Sequence, residues 1–380
     1  MKRGFDREAL KTQLRLIRSA HPENLMARHF TDDYLDSLDQ NALSRVWNII
    51  KTGYENPDSH MGAYAQSSSD YEDFQTLLEP MIRDHHDITP GQQIAQQHDW
   101  GRIYSKCNLE DIDSALSDVS MRVRVGRNLA AIPLPGAMSE KDRVKFENDM
   151  IKAFTILMKD PEFCGTYLSL TPGSEHAINA VEYQSRVDNH QMFKDMRMDP
   201  YLVSGGIASD WPYGRGMYIS GSGDFIVWVG EEDHLRIMSM HKGGDLSGLY
   251  ARLRDGLDKL TTLLPAFAHS PRYGYLTSCP SNLGTAMRAS LHLPLPATLA
   301  GLAQQDSRLK ELGKSAAKFG LALRGAGGEH SGTGRDSIID ISPSARLGVT
   351  ESEIMQRLFD GTAALWAQLK DMGKAPRRNK

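Results

Sequence analysis

The sequence has little cysteine, no long apolar run and almost no net charge, and each shortage excludes a class of protein. Its three cysteines, Cys107, Cys164 and Cys279, lie far apart without CxxC spacing, which indicates neither a disulfide framework nor a zinc site. No apolar stretch approaches the roughly 18 residues needed to span a bilayer, and no apolar signal-peptide core follows the first residues. A formal net charge of -4 in 380 residues argues against a nucleic-acid or membrane partner. We therefore expect a cytoplasmic protein with free thiols.

Common devices for binding nucleotide phosphates are missing as well. The sequence contains no GxxxxGK[ST] loop, no Rossmann fingerprint and no set of protein-kinase loops. It has arginines next to glycines and turns instead, at Arg122, Arg124, Arg236, Arg288 and Arg324. Residues i and i+2 of a strand project from the same face, and a planar guanidinium binds two phosphate oxygens at once. Several converging arginines can therefore hold a triphosphate without a P-loop.

The chain changes character along its length. Apolar residues at helical spacing dominate the first ninety residues, interrupted by a turn-rich loop at residues 56–65. A polar stretch with a Pro-Gly pair at residues 87–97 indicates a linker. From about residue 117 onward, short β-rich runs alternate with a few helices, which fits an antiparallel α+β sheet better than a doubly wound one.

Local signals in the second part are specific. Residues 225–229 and 235–240 read as neighbouring strands separated by the acidic sequence EEDH. Asp245 is a candidate N-cap for a leucine-rich helix, and Thr350 with Glu353 forms a capping box before another.

The predicted fold is therefore α+β. We expect a small all-α N-terminal domain over residues 1–95 and a large C-terminal catalytic domain over residues 96–380, with a mainly antiparallel sheet flanked by helices.

A set of short motifs resembles one enzyme family. The sequence CPSNLGT at residues 279–285 looks like the signature heptapeptide of the ATP:guanidino phosphotransferases, the phosphagen kinases that include arginine and creatine kinases. The other motifs follow in the family's order and spacing: VSMRVR at 119–124, WPYGRG at 211–216, WVGEEDHLR at 228–236, KGGD at 242–245, RGAGGEH at 324–330 and DIS at 340–342. The resemblance covers nearly the whole chain. It implies a glutamine synthetase-like catalytic domain that moves the γ-phosphoryl group of ATP reversibly onto a small guanidine.

The resemblance also implies roles for individual residues. Glu232 and Glu329 would bind the guanidinium and draw off a proton or positive charge as a nitrogen attacks. Cys279, as a thiolate, would stabilise the non-reacting nitrogen without acting as a covalent nucleophile. Glu329 lies in a glycine-rich stretch that is either a closing lid or an unconstrained surface loop, and Glu232 belongs to an acidic run whose simpler interpretation is a solvated turn.

Two further groups complete the implied site. Nucleotide and phosphate contacts would come from Ser120, Arg122, Arg124, His190, Arg236, Arg288 and Arg324, with His292 nearby. The part of the substrate away from its guanidinium would be recognised by Ser59, His60, Met61, Gly62 and Tyr64. Mg²⁺ would arrive with ATP or ADP and be held chiefly by phosphates and water, because no carboxylate run forms a dedicated metal site.

The identity of the guanidine stays open between two candidates. Glu329 is the arginine-kinase choice where creatine kinases have an apolar residue, so creatine is disfavoured. Arginine comes first on family frequency. The pair His60 and Met61 stands where arginine kinases usually have glycine and valine, and an imidazole that donates to an anionic tail would suit the sulfonate of taurocyamine. A protein-arginine kinase and a non-catalytic sensor are the remaining alternatives, and the oligomeric state, monomer or homodimer, is not determined.

Overall fold

A computed structural model describes residues 6–101, 107–295, 307–325 and 338–374. Within these ranges, no helix combines the length and the apolar character needed to cross a membrane. The first part of the chain is helical, as predicted. Its helices are α1 (Arg7–Ala20), α2 (Leu25–His29), α3 (Asp32–Ser37), α4 (Gln40–Glu55), α5 (Asp70–Asp73) and α6 (Gln75–His85).

The second part contains an antiparallel sheet, which confirms the predicted fold class. Its strands are β1 (Val119–Arg127), β2 (Gly165–Ser169), β3 (Gly216–Ser220), β4 (Phe225–Val229), β5 (Leu235–Gly243), β6 (His269–Ser270), β7 (Gly274–Tyr275), β8 (Met287–Pro294), β9 (Leu321–Gly325) and β10 (Ile338–Pro343). Among the described residues, an eight-stranded sheet has the order β2-β3-β4-β5-β1-β8-β10-β9, and β6 pairs only with β7. Every pairing is antiparallel.

Helices flank this sheet: α7 (Glu140–Leu157), α8 (Ala180–Asp188), α9 (Pro200–Ser204), α10 (Leu246–Leu263), α11 (Ser307–Lys318) and α12 (Glu351–Lys374). The predicted caps are present. The side chain of Asp245 accepts a hydrogen bond from Gly248 N at the start of α10, and Thr350 and Glu353 exchange the two hydrogen bonds of a capping box at the start of α12.

Alternate residues of the strands separate the two faces of the sheet. In β1, Met121, Val123 and Val125 are buried in one hydrophobic core with residues of α7, α10 and α12. Arg122 and Arg124 occupy the intervening positions and therefore project from the opposite face. The β3–β5 part of that opposite face is covered by residues 192–208, which form a separate apolar cluster with it.

The helical region has its own apolar core, and this core extends past residue 95. It includes Leu276, Leu283 and Leu347 from the second part of the chain. The predicted linker at residues 87–97 has no helix or strand but is packed: Ile94 is buried, and Gln96 Nε2 donates to Val349 O at 2.8 Å. A domain boundary at residues 95 and 96 stays a prediction.

Candidate active site

Five arginines from four strands share one face of the sheet. Arg124 of β1 lies opposite Arg288 of β8, and Arg122 lies two residues away on the same face. Arg236 of β5 lies opposite Gly126, which is two residues beyond Arg124. Arg324 of β9 lies opposite Asp340 of β10, which in turn lies opposite His292 of β8. We call this set of five guanidinium groups the arginine cluster.

Two members of the arginine cluster have acidic partners among the described residues. Arg288 pairs with the buried Asp340 at 3.0 Å between Nη2 and Oδ2, and Arg236 pairs with Glu231 at 2.9 Å. The side chains of Arg122 and Arg124 form no hydrogen bond or ion pair with residues of the described ranges. Burial, together with the neighbouring guanidinium groups, lowers the pKa of Arg122 to about 10 and depresses that of Arg124 strongly. A site with such an excess of buried positive charge favours an anion.

A cavity of about 540 Å³ lies beside the arginine cluster. Arg122, Arg236, His190 and Trp228 contribute to its walls. Burial lowers the pKa of His292, and the charges of Arg122 and His190 add to this effect, so these groups lie close together.

Ser120 is exposed on the same face of β1, two residues before Arg122. The structure thus brings every residue predicted to contact the nucleotide to this face or to the adjoining cavity.

Glu232 lies in the turn between β4 and β5, at the edge of the arginine cluster. Its Oε1 accepts a hydrogen bond from Asn282 Nδ2 at 3.0 Å, and its Oε2 lies 3.7 Å from Arg236 Nη2. Burial raises the pKa of Glu232 to about 8, and the adjacent Glu231 and Asp233 add to the rise. A carboxyl group whose pKa is near neutral can accept or release a proton at physiological pH.

The thiol of Cys279 shares the pocket of Glu232. Burial raises the pKa of Cys279 to about 12, with a further contribution from the negative charge of Glu232. Without a bound cation the thiol form is therefore favoured, because burial outweighs the hydrogen bond of 3.0 Å between Sγ and Ser281 Oγ. A bound guanidinium cation would favour the thiolate again.

The loop at residues 56–65 brings Tyr64 to the same pocket. Burial raises the pKa of Tyr64, and the charges of Glu232 and Cys279 contribute. Ser59 Oγ accepts a hydrogen bond from Gly62 N at 3.1 Å and closes the loop. Gly62 is required there, because its φ is +70° and a Cβ atom would lie 2.7 Å from Cβ of Met26.

His60 and Met61, which differ from the usual arginine-kinase residues, lie in different surroundings. His60 is exposed, and its ring centroid lies 5.5 Å from that of His85. The side chain of Met61 is buried in the core of the helical region. The role predicted for Met61 in binding the guanidine stays a prediction and would fall to its backbone, because the core takes up its side chain.

One predicted site residue lies outside the described part of the chain, and three residues at the site were not predicted. Glu329 lies outside the described residues, as does most of its glycine-rich segment. Asn282, Glu231 and Asp340 have no predicted role, although each belongs to a motif that carries the family resemblance. Within the described ranges, no group of three or more His, Cys, Asp or Glu residues is arranged to hold a metal ion.

Comparisons with known proteins agree with this geometry. Residues 145–372 match the model of the ATP:guanido phosphotransferase C-terminal catalytic domain, and residues 20–83 match that of the corresponding N-terminal domain. The arginine kinase of Limulus polyphemus is 35% identical over 345 residues, covering 89% of this chain and 90% of the relative. The arginine kinase of Artemia franciscana is also 35% identical and covers 88% of both chains.

Solved structures give the same result. The duplicated taurocyamine kinase from Schistosoma mansoni with bound transition state analog components matches with a TM-score of 0.79 and 31% identity over 95% of this chain. The chain spans 48% of that duplicated protein. A lombricine kinase structure matches with a TM-score of 0.78 and 25% identity, covering 93% of this chain and 95% of that one. The chain is therefore a phosphotransferase that belongs to the ATP:guanido phosphotransferase family, the phosphagen kinases.

Proposed function

We propose that the chain transfers the γ-phosphoryl group of ATP to the guanidinium of L-arginine, giving phosphoarginine and ADP, and catalyses the reverse reaction. The observation that carries this proposal is the arrangement of the arginine cluster on one side and the Glu232 carboxyl at its edge. The arginine cluster suits a polyanion such as a triphosphate, and the Glu232 carboxyl suits a planar cation such as a guanidinium.

The arginine cluster would bind the triphosphate and neutralise the charge that spreads over the phosphoryl oxygens during transfer. Arg122 and Arg124 are suited to this role because no acidic group of the described residues pairs with them. Mg²⁺ carried by the nucleotide would supply further charge neutralisation. This ion would be held mainly by phosphates and water.

Glu232 would orient the guanidinium and accept a proton from the attacking nitrogen. Asn282 holds one of its oxygens at 3.0 Å, which restricts the direction of the carboxylate. Cys279 and Tyr64 would line the same pocket, and Glu329 would supply the second carboxylate. Aligning two bound substrates in this way can remove about 7–11 kcal/mol of the barrier, so little covalent chemistry is required.

Similarity to arginine kinases favours arginine as the acceptor, and the loop offers a place for its anionic tail. The curated relatives described above are arginine kinases and match the chain along most of its length. In the loop, the successive backbone N–H groups of His60 and Met61 donate to no acceptor within the described residues, although Leu25 N donates to His60 O at 2.9 Å. Adjacent unpaired N–H groups suit an anionic tail such as the α-carboxylate of arginine.

Taurocyamine is the second candidate. The exposed imidazole of His60 lies in the same loop, and a taurocyamine kinase is among the similar structures. Its sulfonate would also accept hydrogen bonds from backbone N–H groups, so the anionic tail alone does not discriminate between the two guanidines.

A coupled assay of ADP release tests the proposal directly. The purified chain is supplied with MgATP and, in turn, arginine, taurocyamine, lombricine, creatine and an arginine-rich protein. We expect kcat/KM to be highest for arginine. A higher value for taurocyamine would replace the proposed substrate, and ATP binding without transfer to any acceptor would contradict the proposed activity.

A further inference from the structure

A buried asparagine joins three segments next to the candidate active site. Asn128 follows the last residue of β1, and only 1% of its surface is exposed. Its Nδ2 donates to Asp233 Oδ1 at 2.7 Å and to Leu276 O at 3.0 Å, while its Oδ1 accepts from His234 N at 2.8 Å. The carboxamide therefore uses both of its donors and its acceptor on groups from elsewhere in the chain.

Asp233 continues this connection toward the cysteine. Its Oδ1 also accepts from Ser278 N at 2.7 Å. Gly126 leaves room for the carboxylate, because a Cβ atom there would lie 2.8 Å from Asp233 Oδ2. Oδ1 of Asp233 thus accepts from both Asn128 and Ser278. It holds the turn that contains Glu232 against the segment that leads into Cys279.

The segment before Cys279 also contacts the guanidine loop. Ser278 O accepts from Ala65 N at 2.8 Å, and Ala65 directly follows Tyr64. Thr277 O accepts from the hydroxyl of the buried Tyr71 at 2.7 Å. Glu232, Cys279 and Tyr64 are therefore each the immediate neighbour of a residue whose backbone or carboxylate is bonded in this network.

We propose that Asn128 is a positioning residue for phosphoryl transfer: by holding Asp233 and Leu276, it sets the spacing between Glu232 and Cys279. This inference rests on the proposed roles of those two residues. Asn128 touches neither the arginine cluster nor the cavity beside it in any contact described above, so its effect should fall on the transfer step and not on nucleotide binding. A displacement of about 1 Å at a reacting group can cost on the order of 10²-fold in rate.

A variant of Asp233 can separate the geometric effect of its hydrogen bonds from the effect of its negative charge. Asp233→Asn keeps an oxygen that can accept from both Asn128 and Ser278, because both donors bond to Oδ1. It removes the negative charge that contributes to the raised pKa of Glu232. This variant should therefore retain most of kcat but shift the acid limb of the kcat/KM profile to lower pH. A role confined to fold stability would not produce that shift.

The test compares Asn128→Leu, Asn128→Ser and Asp233→Asn by kcat, KM for ATP, pH profile and thermal unfolding, with MgATP and the best guanidine acceptor. Leucine is similar in size to asparagine but forms none of the three hydrogen bonds. We expect kcat to fall on the order of 10²-fold, with KM for ATP essentially unchanged. Serine can replace some of the bonds and should give an intermediate kcat, which keeps the test usable if the leucine variant does not fold.

Two outcomes would overturn the inference. One is a folded Asn128→Leu or Asn128→Ser protein with unchanged kcat. The other is a loss confined to KM for ATP. Glu232→Gln, measured in parallel, distinguishes this failure from failure of the proposed function. If Glu232→Gln is inactive while the Asn128 variants are fully active, only the positioning role is wrong. If Glu232→Gln keeps full activity, the proposed role of Glu232 is wrong.

Discussion

The two faces of the sheet at β1 and β8 are built from the same strands but have opposite physical properties. On β8, Leu291 is fully buried against the apolar core, whereas Arg288, three residues earlier, faces the arginine cluster. On β1, Val123 and Val125 alternate with Arg122 and Arg124 in the same way. One face gains stability from apolar burial, and the other gathers like charges that oppose folding.

This comparison suggests that stability and phosphate binding are divided between the faces. Burying Arg124 beside Arg236, Arg122 and Arg288 lowers the pKa of Arg124, because both desolvation and repulsion disfavour its charge. This free-energy cost of keeping Arg124 charged is expected for a site whose positive charge is neutralised only when an anionic ligand binds. The predictions below test this division, in order of their expected effect on turnover.

Glu232→Gln should have the largest effect on turnover. The amide cannot accept the proton, so we expect kcat to fall by about 10²–10⁴-fold while ATP still binds. The measurement is steady-state ADP release, with Glu175→Gln as the matched control because the Glu175 side chain is 87% exposed. Wild-type turnover in Glu232→Gln would remove this residue from the mechanism.

Arg288→Ala should reduce both activity and stability. Loss of one phosphate-binding guanidinium should lower kcat about 10²–10³-fold, and the buried Asp340 loses its partner. Breaking such a pair costs about 3–5 kcal/mol of unfolding free energy. Urea unfolding and turnover of the same preparation measure the two effects, and Arg288→Ala combined with Asp340→Asn should recover stability without activity. Recovery of both would contradict a role in phosphate binding.

Arg124→Met should reduce activity alone. We expect a loss of about 10²–10³-fold in kcat/KM for ATP. The unfolding free energy should stay the same or rise, because the change removes a buried positive charge from among three others. Chemical denaturation alongside the kinetic assay checks this, and a marked loss of stability would mean that Arg124 has a structural role.

Leu291→Ala should reduce stability alone. The truncation leaves a cavity in the core face of β8 and should cost about 2–5 kcal/mol of unfolding free energy. Turnover per folded molecule should be unchanged at a temperature at which the variant is folded. A lower kcat in the folded protein would show that the two faces are not independent.

The last prediction concerns the pH dependence of stability and not turnover. The pKa of Glu232 in the folded chain, about 8, exceeds its ordinary value of 4.5, so the folded state binds more protons between these values. The stability contribution from this group is therefore complete below pH 4.5 and declines as pH rises toward 8. Glu232→Gln should flatten that part of the stability–pH curve, as measured by unfolding at several pH values. An unaltered curve would contradict the raised pKa.

Local features of the fold followed from sequence because they depend on neighbouring residues. The alternation around Arg122, the strand at residues 225–229 and the caps at Asp245 and Thr350 are all short-range patterns. Strand register is not a short-range pattern, since β1 and β8 pair across more than 160 residues. The sequence thus indicated the arginines but not that Arg124 lies opposite Arg288.

Burial is the property of the site that a sequence does not display. The polar residues near Cys279 in the sequence predict a thiolate, but burial raises the pKa of this thiol to about 12 in the ligand-free chain. Met61 lies in the expected loop, yet its side chain packs into the helical core. Asn128 carried no signal at all, because its role depends on partners more than a hundred residues away.

The most direct test of the division between the faces is the stabilisation that MgATP confers on the wild-type chain, Leu291→Ala and Arg124→Met. A ligand at 100 times its Kd raises the unfolding free energy by about 2.7 kcal/mol. At one fixed MgATP concentration that saturates the wild-type chain, Leu291→Ala should start less stable but gain as much as the wild type, whereas Arg124→Met should gain little. An equal gain in Arg124→Met would contradict the assignment of the arginine face to the nucleotide.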